Sequence, residues 1–140
     1  MPSPEPVVLG DRVRAFLEAP HFCSLSSVNP DGSPHQAVIW YRLDPDGRLL
    51  VNSREGRRWP ANLRRDPRVS IAVFDEGDPN RWAGVVGAVD EVVDDVERAR
   101  ADIVALAHRY DDASESTVAT FRTQPRVTFL IRIDKAHDHI

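Results

Sequence analysis

Two turn signatures constrain this chain more than any other feature. Asn29-Pro30-Asp31-Gly32 and Asp44-Pro45-Asp46-Gly47 each interrupt runs rich in β-branched and aromatic residues. Proline presets φ for a turn and glycine accepts positive φ, so the chain has to reverse at both places. The runs on either side are Phe22 to Val28, Ser33 to Leu43 with Ala37-Val38-Ile39-Trp40-Tyr41 at its centre, and Arg48 to Ser53. Three extended runs joined by two short turns predict an antiparallel meander.

The remainder adds three strands and a few helices. Arg68 to Asp75 alternates Val69, Ile71 and Val73 with Ser70, Ala72 and Phe74, the period of a strand. Glu76 to Asn80 is a polar loop, and Trp82 to Val93 is a fifth strand whose Gly84 and Gly87 mark a bulge or a close approach. Arg126 to Ile133 is the sixth, with Val127, Phe129 and Ile131 on one face. Asp11 caps a short helix carrying Val13, Phe16 and Leu17, and Pro20 ends it. Pro60 suits the first turn of a helix that runs to Arg65 and is stopped by Asp66-Pro67. From Asp94 or Asp95 to Tyr110 the spacing of Val96, Ala99, Ile103, Leu106 and Tyr110 is helical, with acids in the first turn and His108 and Arg109 in the last. Residues 111–125 form a polar connection to which the pattern assigns no structure. The expected architecture is mainly β: a six-stranded antiparallel barrel with flanking helices in one 140-residue domain. Residues 1–10 are read as a loose lead-in and 134–140 as a disordered tail.

Composition narrows the function classes. Hydrophobic residues are 41% and charged residues 29%, as in ordinary globular domains. No run approaches the ~20 apolar residues of a membrane span, and MPSPEPVVLGDR lacks the basic and apolar regions of a signal peptide, so the expectation is a cytoplasmic protein without a membrane partner. The single cysteine, Cys23, sits between Phe22 and Leu25-containing sequence as a small buried residue. His21, His35, His108, His137 and His139 show no zinc-type grouping, and no metal site is expected. No glycine-rich nucleotide loop is present, and Ser24 with His35 forms a triad only by selection.

One stretch carries a chemical signal. Val51 to Ser70, VNSREGRRWPANLRRDPRVS, holds six arginines against two acids in a chain of net charge −4. Arg54, Arg57 and Arg58 fall between a strand end and a helix N-terminus, where backbone N–H groups and guanidinium forks converge on an anion. A phosphate site, a solvated basic turn and a nucleic-acid contact are the three readings of such a run. The acidic remainder of the chain and the shortness of the patch weigh against nucleic acid.

The order of segments DGSPHQAVIWY, GRLLVNSREGRRWPANLRRDPRVSIAVFD, RWAGVVGAVDEV and RVTFLIRI resembles the split β-barrel proteins related to pyridoxamine 5′-phosphate oxidase, from about Phe22 to Ile133. The phrase Asn62-Leu63-Arg64-Arg65-Asp66-Pro67-Arg68-Val69 is similar to that of the branch using the deazaflavin coenzyme F420. The resemblance implies a homodimer with F420, or alternatively FMN, between subunits. It places the cofactor ring against Gln36, Ala37, Val38, Ile39 and Trp40, with Val51, Asn52 and Ser53 beside it. It assigns the phosphate to Arg54, Arg57, Arg58 and Asn62, and Trp82 to the dimer-side wall. Family members often carry lysine where this chain has Trp59, so Arg57 or Arg58 would take over that charge and Trp59 would stack or pack. The C-terminal segment of true pyridoxamine phosphate oxidases has no match in Lys135 to Ile140. The implied activity is hydride transfer between F420 and an apolar, conjugated small molecule, with Tyr41 or a water as proton donor. An FMN-dependent reductase or oxidase, and a cofactor carrier without turnover, are the alternatives.

Overall fold

The computed structural model describes residues 7–140. In chain order the elements are α1 (Asp11–Glu18), β1 (Phe22–Val28), β2 (Pro34–Ile39), β3 (Arg42–Leu43), β4 (Leu49–Arg54), α2 (Arg58–Arg65), β5 (Arg68–Asp75), β6 (Asp78–Val93), α3 (Val96–Arg109), α4 (Glu115–Phe121) and β7 (Arg126–His139). All seven strands belong to one sheet of order β2-β1-β5-β6-β7-β4-β3, and every pairing in it is antiparallel.

That order overturns the expected meander. β2 pairs with β1, but the run Ser33 to Leu43 breaks at Trp40 and Tyr41, and its second part, β3, lies at the opposite edge against β4. In a flat seven-stranded sheet the edge strands stand about 29 Å apart at ~4.8 Å per step. Two intervening residues span only about 11 Å. The sheet therefore curls until its edges approach, which agrees with the barrel the pattern implied and the split barrel the resemblance implied, with seven strands in place of six.

The crossover is pinned from outside the sheet. Tyr41 is fully buried, and its hydroxyl donates to the Ala19 carbonyl at 2.9 Å. Arg109, at the end of α3, donates to the Tyr41 carbonyl at 3.0 Å and to the carbonyls of Glu18 and Ala19 at 2.9 and 2.8 Å. A cation on the orphan carbonyls of α1 satisfies acceptors the helix cannot. The last turn of α3 thus holds α1 and the seam together.

Inside the barrel, alternate residues form the core: Cys23 and Leu25 of β1, Val69, Ile71 and Val73 of β5, Val127, Phe129 and Ile131 of β7. Burial raises the Cys23 thiol to about 12, so the cysteine is inert packing. β4 is buried on both faces, because Leu49 and Val51 enter the barrel core while Leu50 joins Leu130, Ile103 and Leu106 beneath α3. Asp95 caps α3 by accepting from Glu97 and Arg98 backbone N–H groups. Gly87 marks both a register shift and a close approach: a Cβ there would lie 2.0 Å from the Arg132 carbonyl oxygen.

Two expectations about the termini change. β7 runs on to His139, pairing Trp82 with His139 and Ala83 with Asp138, so the tail is a strand. It satisfies backbone groups of β6 that would otherwise form an open edge, a reason invisible in the polar sequence of the tail. Of the lead-in, residues 1–6 lie outside the described residues; Val7 donates to the Ile133 carbonyl at 2.9 Å and Leu9 is buried. The connection 111–125 contains α4, capped by Ser114.

Candidate functional site

A cavity of about 340 Å³ opens on the outer side of the barrel, between the end of β2, the last residues of β4, the start of α2 and the helices α3 and α4. Phe22, Val38, Ile39 and Trp40 form one wall, and Ile103, Leu106 and Phe121 the other. Trp40 is held by stacking on Tyr110, with centroids 5.2 Å apart and an angle of 8°. Asn52, Ser53, Arg54, Arg57 and Arg126 make the polar end. Apolar walls with a few converging polar groups are the ordinary form of a small-molecule site.

Three guanidiniums dominate that end. Arg54 and Arg126 are directly opposite one another on β4 and β7, an arrangement that is destabilising for like charges. Gly56, with φ of 94°, turns the chain so that Arg57 follows at the N-cap of α2. Arg54, Arg57 and Arg126 are absent from every ion pair among the described residues. Arg126 is instead held by neutral groups: its Nε donates to Asn52 Oδ1 at 2.9 Å, its Nη1 donates to Gln124 Oε1 at 2.6 Å, and it lies over the Phe121 ring at 5.0 Å. Burial first, then Arg57 and Arg54, lower its pKa to about 10.

Two other arginines of the basic stretch are neutralised by acids. Arg64 bridges Glu55 and Asp94, each at 2.7 Å, and Arg68 meets Asp66 at 2.7 Å. Arg65 donates to the Val28 carbonyl and to Asn62 Oδ1. Between α2 and the turn at Asn29 to Ser33 runs a second, open groove of about 680 Å³, bordered by Arg57, Arg58 and Arg65. Arg57 borders both spaces.

Of the residues expected at a cofactor, Val38, Ile39, Trp40, Asn52, Ser53, Arg54, Arg57 and Trp59 meet around the cavity. Six others, and the proton-donor candidate Tyr41, do not line it. Val51 points into the barrel core and Ala37 packs against that core, because alternate strand residues face opposite sides. Gln36 and Trp82 border a different recess on the outer sheet face, where Trp82 stacks on His139 at 4.7 Å. Asn62 has both amide hydrogens engaged, with Ser27 Oγ and Asn29 Oδ1, each at 3.0 Å, so it fastens α2 to the β1–β2 turn and has no donor for a phosphate. Tyr41, buried behind the seam with its proton given to Ala19, does not reach the cavity as an acid; burial raises its pKa above the ordinary phenol value. Arg58 lies in the neighbouring groove.

Two further refinements concern named residues. Trp59 is 3% exposed and packs on Phe129, at 6.0 Å and 51°, so at most one edge of it meets the cavity. Asn52 serves as a bracket: it donates to the Ala99 carbonyl at 2.8 Å and to Thr128 Oγ1 at 2.9 Å while accepting from Arg126. Phe22, Ile103, Leu106, Phe121 and Arg126 were not singled out from sequence. For Arg126 the signal lay in the β4–β7 register, which the sequence does not display. Among the described residues no three or more histidine, cysteine, aspartate or glutamate side chains are grouped so that they could hold a metal ion, and no helix is long and apolar enough to cross a membrane.

Comparison with known proteins decides the family. The pyridoxamine 5′-phosphate oxidase family model matches residues 9–139. The chain belongs to that family. Within it, the chain is similar to an F420H(2)-dependent biliverdin reductase of Mycobacterium tuberculosis (strain CDC 1551 / Oshkosh), at 28% identity over 73% of this chain and 72% of the relative. Among solved structures, one named F420 reductase superposes with a TM-score of 0.78 at 27% identity, covering 94% of this chain and 98% of the other. The heme storage protein HutZ of Vibrio cholerae shares the fold at a TM-score of 0.69 and 17% identity, over 94% and 95% of the two chains. The relatives of this pyridoxamine 5′-phosphate oxidase family member include F420-dependent reductases.

Proposed function

We propose that this family member is an F420-dependent oxidoreductase and that the aromatic-walled cavity is its half of the cofactor site. The observation that carries the reading is the coincidence, in one cavity, of apolar walls and three guanidiniums without a carboxylate. The donor set fits a planar heteroaromatic group that carries a phosphate. Val38, Ile39, Trp40, Ile103, Leu106 and Phe121 would hold the ring, and Arg54 and Arg57 the phosphate. A bound deazaflavin supplies hydride to an acceptor.

The chain's own contribution is position, charge and dryness. Among the described residues no histidine, cysteine, lysine, tyrosine, aspartate or glutamate lines the cavity, and none of the side chains that do line it exchanges protons near neutral pH. With Tyr41 buried elsewhere, a proton for the reduced acceptor comes from water. The walls orient the reactants and exclude bulk solvent, which is where a site of this composition lowers a barrier. Val38 is 69% exposed, leaving one side of the cavity open. A second copy of the chain, laid on the outer face that carries Val38 and the half-exposed Val86, would close it; this homodimer rests on the family resemblance and on that open wall.

An apolar, conjugated small molecule is the acceptor class that fits these walls, and biliverdin is the first to try. Titrating the purified protein with F420 and with FMN, followed by fluorescence, tests the reading. Micromolar or tighter F420 binding with weaker FMN binding is expected. Tighter FMN binding turns the assignment to a flavin reductase or oxidase, and failure of both removes the cofactor. Tight F420 binding whose reduced form no acceptor consumes leaves a carrier.

A further inference from the structure

Arg126 is the only buried arginine among the described residues, and it is also one without an acid. The chain has 22 acidic residues and uses them freely on arginines elsewhere: Arg42, Arg48, Arg64, Arg68, Arg81 and Arg132 all sit within ion-pair distance of a carboxylate. The arginine that most needs a counter-ion therefore lacks one. Two N–H groups are engaged, by Asn52 and Gln124. Of the five N–H donors of a guanidinium, the others have no acceptor among the described residues.

The bracket around it is elaborate for a side chain with no task. Asp102 accepts from Thr128 at 2.7 Å, Thr128 accepts from Asn52 at 2.9 Å, and Asn52 accepts from Arg126 at 2.9 Å. This chain links β4, α3 and β7 and fixes the plane of the guanidinium while leaving its charge uncompensated. Placing it opposite Arg54, with Arg57 beside both, concentrates positive charge at the polar end of an otherwise apolar cavity. A low-dielectric surround strengthens the attraction for an incoming anion.

We propose that Arg126 is an anion-binding residue of this cavity, and that together with Arg54 and Arg57 it takes a phosphate group of the bound molecule. The inference deepens the cofactor reading by adding a residue on the last strand to the phosphate site, and it rests on that reading only for the identity of the molecule bearing the phosphate. Gln124 is the discriminating neighbour. Gln124→Glu keeps the shape and the acceptor while giving Arg126 an internal counter-ion, so it is expected to strengthen the unliganded fold and compete with the ligand.

The experiment measures thermal unfolding of wild type, Arg126→Met and Gln124→Glu with and without inorganic pyrophosphate, and the affinity of each for F420 and FMN. Pyrophosphate is expected to raise the Tm of wild type. Both variants are expected to lose that protection and at least tenfold in affinity for whichever cofactor binds, while unliganded Gln124→Glu melts at or above wild type. Absence of protection in wild type, or a smaller loss in the variants, overturns the proposal. Should Arg126→Met fail to fold, Gln124→Glu decides alone, since it retains Arg126 and its bond. Pyrophosphate protection that depends on Arg126 in a protein binding neither cofactor would sink the cofactor reading and leave this one standing. Tight F420 binding indifferent to both variants would do the reverse.

Discussion

The two ends of the basic stretch are made of the same residue and meet opposite fates. Arg64, Arg65 and Arg68, on the last turn of α2 and the start of β5, are matched to Glu55, Asp94, Asn62, Val28 and Asp66 within the chain. Arg54 and Arg57, only a few residues earlier, find no acid among the described residues, and the fold brings Arg126 to join them across a strand pair. Counting arginines describes both ends equally. What separates them is whether folding delivers an acceptor, carboxylates for Arg64 and Arg68 and neutral oxygens for Arg65, so the C-terminal end is structural while the N-terminal end stays available to the proposed ligand.

The comparison breaks or sharpens under substitution. The largest effect is expected from Arg54→Ala with Arg57→Ala, which removes two charge-assisted donors worth roughly 1.5–3 kcal/mol each. F420 affinity should fall about 100-fold or more, with an unliganded Tm equal to or above wild type because like charges are relieved. A drop in Tm would show these residues to be structural. Arg58→Ala should weaken binding less than Arg57→Ala does, since Arg58 borders only the neighbouring groove; equal losses in the same titration would relocate the phosphate.

Asn62→Ala tests the structural end. It strips the partners from Ser27, which is 2% exposed, and from Asn29, and should cost about 2 kcal/mol in urea unfolding. Arg64→Ala should cost only roughly 0.5–1 kcal/mol, the range of partly exposed ion pairs, and leave F420 affinity within about twofold. If Arg64→Ala abolishes binding, the two ends are not distinct.

The smallest effect concerns pH, away from both ends. His21 stacks on Phe16 with centroids 4.2 Å apart, and burial lowers its pKa below 6.5. The unfolded chain then takes up the proton first, so stability falls as pH drops below 6.5. His21→Phe should flatten that slope in unfolding curves between pH 7 and about 5.5, and an unchanged slope would place the titration elsewhere.

Much of the fold was legible because it is local. β5 matches its expected bounds, Arg68–Asp75, since alternation is a property of neighbours. The helix ending at Arg109 was visible from its apolar spacing and acidic first turn, and Asp95 caps it. Gly87 announced its bulge because glycine in a strand has few other uses. The break at Trp40 and Tyr41 was hidden inside a continuous apolar run, because either side of the break suits a strand equally well. Asn62 and Tyr41 were misread for a related reason: both are polar groups near the expected site, and only the fold shows that Ser27, Asn29 and Ala19 already satisfy them.

By itself, the sequence determined where the chain turns, which faces are apolar, that α1 and α3 exist, and that arginine is concentrated between β4 and β5, although Asp11 proves to be the first residue of α1, with Gly10 at an N-cap that has no side-chain bond. Each of these follows from residue type and spacing along the chain. Tertiary structure alone decided the strand order, the strand made from the tail, the walls that α3 and α4 give the cavity, and the arrival of Arg126 opposite Arg54. Those depend on which distant backbone groups pair once the sheet curls shut, and a charge is free or neutralised only after that pairing has chosen its neighbours.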